Sequence, residues 1–155
     1  MNLIRTAPFT LNHNKIVDVI KTECAICEAF NPDISKKLYP IHRKYIGLWD
    51  TGATGSIITR KVINELNLKP TGITLVRNTS GTKYEPMYKI NIVLPNSVGI
   101  SFLDVTEGIL TDFDVLIGMD IICKGDFAIS NSDEKTVFTF QIPSTHKTDF
   151  VQEYN

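Results

Sequence analysis

The sequence predicts an all-β fold: a closed, barrel-like single domain with one or two short helices. Short runs rich in Val, Ile, Thr, Tyr and Phe recur along the chain, each closed by a cluster of Gly, Pro, Asn, Asp or Ser. Apolar residues at helical spacing make only one good segment. A length of 155 residues with 43% hydrophobic side chains is enough for one real core and cramped for two lobes.

Taken in order, residues 16–30 are rich in β-branched side chains and supply one or two strands, ending where Asn31-Pro32-Asp33 forces a turn. Residues 34–44 are polar, basic and interrupted by Pro40, which reads as a loop. Tyr45-Ile46-Gly47-Leu48-Trp49 then reads as a short buried strand that delivers Asp50 at its end. Ile58, Val62, Ile63 and Leu66 recur at helical spacing, with Thr59 available as a cap and Lys69-Pro70-Thr71-Gly72 as the stop. Residues 73–78 and 84–94 form a hairpin around Ser80-Gly81, and Tyr88, Ile90, Ile92 and Leu94 alternate to give one apolar face. Pro95-Asn96-Ser97 turns the chain into a strand over 99–105, followed by a loop over 106–112 and the apolar run Val115-Leu116-Ile117. Residues 118–123 make one helical turn, and strands over 126–130 and 136–142 flank a turn at Asn131-Ser132-Asp133-Glu134. From Pro143 the chain is polar, and is expected to fray or to be held only by a partner.

Lys and Arg number 16 against 17 Asp and Glu, with no long block of either sign, which argues against nucleic acid and anionic membrane surfaces as partners. No run approaches the roughly eighteen apolar residues of a spanning helix. Met1-Asn2-Leu3-Ile4-Arg5 leads into Pro8 and Asn12-His13-Asn14 rather than an apolar signal core, so a cytoplasmic location is expected. Three cysteines cannot all pair within the chain, in keeping with a reducing compartment. Cys24 and Cys27 have the spacing of half a zinc site, but Cys123, His13, His42 and His146 offer no second pair, so the two read as small core residues of a strand.

The chemistry concentrates at Asp50-Thr51-Gly52-Ala53-Thr54. A carboxylate at the end of a buried apolar strand, followed by a hydroxyl residue and a turn-permitting glycine, is partly desolvated and has donors close by in Thr51 and Thr54. An ordinary strand-to-turn Asp would share these features. A second element sharpens the signal: Asp114-Val115-Leu116-Ile117-Gly118-Met119-Asp120, an apolar strand that breaks at a glycine.

Leu48-Trp49-Asp50-Thr51-Gly52-Ala53-Thr54 resembles the active-site motif of retropepsin-like aspartic peptidases, in which two hydrophobic residues precede Asp-Thr-Gly-Ala/Ser-Ser/Thr. Val115-Leu116-Ile117-Gly118 is similar to the hydrophobic-hydrophobic-Gly segment that, in that family, crosses behind the catalytic loop before a short helix. The resemblance implies a homodimeric aspartic endopeptidase acting on a protein or peptide substrate. Asp50 of each protomer would share one proton and activate a water, with no metal or cofactor required. It gives the Thr51 hydroxyl a bracing role across the axis and the backbone at Gly52 the task of holding the carboxylates coplanar. The family closes a hairpin flap over substrate, and the resemblance places it at Thr79-Ser80-Gly81-Thr82-Lys83, with Ser80, Gly81 and Thr82 at its tip. An exposed hairpin turn reads the same way, and Tyr84 fits a cleft or a neighbouring strand.

The chain departs from the retroviral pattern in three places. Trp49 is bulkier than the usual residue before the catalytic Asp, and Met119 stands where many members carry an Arg that makes a dimer ion pair. The stretch 1–19 is an N-terminal extension to the minimal domain: an added strand, a self-inhibitory segment or part of the dimer interface.

Other chemistries fit less well. Gly52-Ala53-Thr54-Gly55 lacks the Lys-Ser/Thr ending of a phosphate-binding loop. Asp112, Asp114 and Asp120 lack the loop spacing of a Ca2+ site and read as a turn residue, a helix cap and a motif neighbour. Ser144-Thr145-His146 lacks the acidic partner of a triad. The competing function is a catalytically silent retropepsin-fold module that binds a peptide or serves assembly, since a fold does not guarantee an activity.

Overall fold

The computed structural model describes residues 6–31, 33, 40–78 and 81–153. Its strands are β1 (Ala7–Asn12), β2 (Lys21–Glu28), β3 (Arg43–Trp49), β4 (Ile57–Ile58), β5 (Gly72–Asn78), β6 (Gly81–Val93), β7 (Gly99–Glu107), β8 (Val115–Ile117), β9 (Asp126–Ser130) and β10 (Val137–Ile142). Three short helices accompany them: α1 (Arg60–Glu65), α2 (Met119–Ile122) and α3 (Phe150–Glu153). The chain is mostly β, as the turn-punctuated sequence predicts, with one short helix more than expected.

Seven strands form a sheet in the order β2-β3-β8-β4-β7-β6-β5, and β2 also pairs with β6. That extra pairing closes six of them into a ring and leaves β5 outside it. The length of β6 makes this possible. One edge of β6 pairs with β7, while the other is shared end to end, by β5 along Gly81–Met87 and by β2 along Ile90–Val93. The alternation seen in the sequence is the reason β6 can do this, since Tyr88, Ile90, Ile92 and Leu94 all turn into the core. Most neighbours run antiparallel, but β3 with β8 and β4 with β7 are parallel.

A second sheet, in the order β1-β10-β9, packs against the ring. Its buried Phe138 and Phe140 join the same core cluster as Ile26, Ile58, Ile90 and Ile117. Trp49 lies where the two sheets meet. Its ring is 4.8 Å from Phe140, 5.2 Å from Phe138, 6.0 Å from Phe127 and 6.1 Å from Phe9, while its indole N–H donates to the Thr22 hydroxyl at 2.9 Å. The second sheet therefore supplies the space and the aromatic surroundings that so large a residue needs beside the motif.

The stretch 1–19 contributes β1, which pairs with β10 from Ala7 opposite Ile142 to Asn12 opposite Val137; of the three roles considered for it, the added strand is the one seen. The C-terminal segment differs from expectation. It is held by the chain itself: the Asp126 carboxylate accepts from the Ser144 hydroxyl, the Thr145 N–H (2.8 Å), the His146 N–H (2.9 Å) and the Gln141 amide (2.7 Å). Residues 34–39 of the expected loop lie outside the described residues, and its last two, Arg43 and Lys44, belong to β3. Thr59 occupies the N-cap position of α1, but its hydroxyl makes no capping bond and is buried without a partner. No helix among the described residues is long and apolar enough to cross a membrane.

Candidate active site

Asp50 is placed by the strands on either side of it. Its N–H donates to the Ile117 carbonyl at 3.0 Å, so the end of β3 is tied to the end of β8. The chain then turns at once. The Gly52 N–H donates to Asp50 Oδ1 at 2.8 Å, one of the backbone donors that a carboxylate at a strand end needs. Asp50 is half-buried, whereas Thr51 and Gly52 are exposed. The loop thus presents a tethered carboxylate and a free-facing hydroxyl side by side.

The segment after β8 passes directly behind this loop. A Cβ added at Gly118 would lie 2.7 Å from the Gly55 carbonyl carbon and oxygen and 3.0 Å from the Ala53 oxygen. Only a glycine allows this approach. Met119 N–H donates to the Ala53 oxygen at 2.8 Å and Asp120 N–H to the Thr54 oxygen at 3.2 Å, so the loop and the start of α2 are laced by main-chain bonds.

Side chains complete the lacing through Asp120, which the motif reading took as a neighbour, and Ser56, which it passed over. Asp120 accepts from the Ser56 hydroxyl at 2.7 Å and the Ser56 N–H at 2.9 Å. The Ser56 hydroxyl oxygen in turn accepts from the Gly118 N–H at 3.1 Å. Asp120 is more than a neighbour of the motif. It is the carboxylate that joins the two loops, and a serine directly after Gly55 was the only sequence signal for its partner. Asp114 is not a helix cap: its side chain accepts from Lys61 (2.9 Å) and the Ile46 N–H (3.4 Å), pinning β8 to β3.

Strand periodicity identifies a wall beside Asp50. Ile46, Leu48 and Asp50 leave β3 on one face, while Tyr45, Gly47 and Trp49 leave it on the other. Leu48 is in register with Leu116 on β8, and Leu116 with Ile57 on β4. Residues in register share a face, so Leu48, Leu116 and Ile57 form an apolar shelf next to the carboxylate. Counting by twos from Asp50 would have found Leu48, but Leu116 and Ile57 depend on pairings that no local pattern reveals.

The hairpin β5-β6 is present with Gly81 and Thr82 exposed at the start of β6, and Ser80 lies outside the described residues. Gly81 has φ +123°, a conformation that side chains rarely adopt. Tyr84 is opposite Leu75 and is 72% exposed. With Ile73 it forms an apolar outer face on this hairpin.

Cys24 and Cys27 are buried, and their three-residue separation on β2 sends them to opposite faces, so they cannot converge on one metal ion. Burial, with added repulsion from Asp114 and Glu23, pushes the Cys24 thiol up to about 12. Burial likewise raises Cys27 to about 11. Burial and a 3.0 Å hydrogen bond to Glu65 raise the Tyr45 phenol above its usual range.

No protein-family model matches the chain, and no curated protein does. Among solved structures, the chain is similar to a retropepsin-like aspartic protease from Rickettsia conorii, at 13% identity and a TM-score of 0.54, over 92% of this chain and 99% of that one. It is also similar to the Simian Foamy Virus (mac) protease, at 19% identity and a TM-score of 0.39, over 51% of this chain and 80% of that one. The fold of this chain is retropepsin-like.

Proposed function

We propose that the chain is one protomer of a homodimeric aspartic endopeptidase, with Asp50 as its half of the catalytic pair. The observation that carries the reading is the bracing of the Asp50 loop by the Gly118 segment, on a retropepsin-like fold. Main-chain and side-chain bonds hold the loop that carries the carboxylate, and the Gly52 N–H holds the carboxylate itself, as preorganised acid–base catalysis requires. One such carboxylate per chain is half of what the chemistry needs. A twofold axis at the exposed Thr51-Gly52 surface would bring the second Asp50 close enough for the two to share a proton.

In that dimer, one carboxylate is charged and takes a proton from water while the other is neutral and donates to the scissile carbonyl. The Gly52 N–H bond to Asp50 Oδ1 leaves the other oxygen of each carboxylate free to meet the water. Thr51, exposed beside it, would contact the partner's loop, and the shelf of Leu48, Leu116 and Ile57 would face the substrate backbone. Ser80, Gly81 and Thr82 would form the tip of a hairpin closing from above. The adopted φ of Gly81 fits a segment that must bend.

The test is cleavage of a mixed peptide library at several pH values by the native chain and by Asp50→Asn, with the dimer fraction measured on the same samples. Loss of cleavage by about 10³-fold or more at unchanged dimer fraction is expected. A well-formed native dimer that cleaves nothing at any pH would leave the silent peptide-binding module as the better reading.

A further inference from the structure

Lys21 lies on the face of the barrel that carries Asp50. Its Cα is in register with Leu48, and Leu48 leaves β3 on the same side as Asp50. Lys21 therefore borders the apolar shelf. Its side chain is half-buried, and its ammonium stands 5.7 Å from the centroid of the Phe113 ring. Among the described residues it has no carboxylate partner. The lysines around it do: Lys44 pairs with Glu23 at 2.7 Å and Lys61 with Asp114 at 2.9 Å. A cation that is partly withdrawn from water, flanked by apolar and aromatic surface and left unneutralised, favours an incoming anion more than a fully solvated lysine would.

We propose that Lys21 is a specificity-determining residue that selects peptides carrying an acidic side chain near the scissile bond. The inference rests on the peptidase reading of Asp50. One strand spacing across and two residues along separate the Cα atoms of Lys21 and Asp50, a distance of roughly 8 Å. At about 3.3 Å per residue of an extended substrate, the ammonium meets a side chain two or three residues from the bond that is cut. A twofold axis repeats the arrangement on the other side of the bond. A single partly exposed ion pair of this kind gives a preference of about fivefold.

The test uses labelled peptides that are identical except for Glu or Gln at that position. Cleavage is measured with the native chain, and binding by fluorescence anisotropy with Asp50→Asn. The Glu peptide is expected to be favoured about fivefold in both, with the preference falling as salt rises. Lys21→Met should remove the preference, Lys21→Arg should keep it, and Lys21→Glu should reverse it. Equal use of the two peptides by the native chain, or a Glu preference that survives Lys21→Glu, overturns the inference while leaving the peptidase reading intact. If the native chain cleaves neither peptide, the peptidase reading is left to the library test and binding alone decides for Lys21. A Glu preference that Lys21→Glu reverses supports Lys21 as the selecting charge, and equal or undetectable binding rejects it.

Discussion

At the scale of single residues, the site depends on what small groups allow. Gly118→Ala would place a methyl group against the Gly55 and Ala53 carbonyls, where main chain rather than a flexible side chain must yield. We expect a cost of about 1–3 kcal/mol together with a larger loss of cleavage, because the displaced atoms belong to the Asp50 loop. Equal cleavage by Gly118→Ala and the native chain would show that the bracing is dispensable. Ser56→Ala leaves the Gly118 N–H without its partner and removes one of the bonds to Asp120, a loss of about 1–3 kcal/mol measurable by denaturant unfolding. The thiols offer a different check. Cys123 is exposed, whereas Cys24 and Cys27 are buried with raised values. At pH 8 one thiol in three should react promptly with a thiol reagent, and the other two only as the protein opens. Prompt reaction of all three would contradict the packing of β2.

At the scale of elements, the central strands were legible because their signals are local. The Tyr88 to Leu94 alternation announced β6, and the apolar run before Gly118 announced β8. What escaped was set by distant partners. Residues 7–12 carry a Pro and only three inward positions, and they become a strand because residues 137–142 at the far end of the chain offer an edge. The C-terminal segment looked free because its anchor, Asp126, lies far from it in sequence. Hydrogen bonds from the Ser144 hydroxyl, then the Thr145 N–H and the Gln141 amide, hold the Asp126 carboxyl well below the usual carboxylate range. A depressed folded value means the anion is favoured by folding. The contribution is therefore complete above about pH 4, where an unfolded Asp is ionised, and is lost as pH falls through the folded value. Asp126→Asn at pH 7 should mimic the acid state and hasten proteolysis within 144–153. Unchanged proteolysis would mean that the tail is held by something else.

At the scale of the whole molecule, the proposed reading makes a chain with one Asp-Thr-Gly loop half an active site, and its activity should then rise with the square of protomer concentration until dimers saturate. Two carboxylates sharing a proton titrate as a pair, so the pH profile should be bell-shaped, falling when both are protonated and again when both are charged. A profile with a single limb would argue against the pair. Much of this site was legible from two motifs. The shelf was not, because it is assembled from three strands that only closure of the ring brings into register.

The packing of Trp49 has an optical consequence. It is the only tryptophan in the chain, it is the residue next to Asp50, and it touches aromatic rings from β1, β9 and β10. Its emission therefore reports, without any label, whether the three-stranded sheet is seated on the barrel at the point where the Asp50 loop begins. A red shift that precedes global unfolding would mark that joint as the first to part.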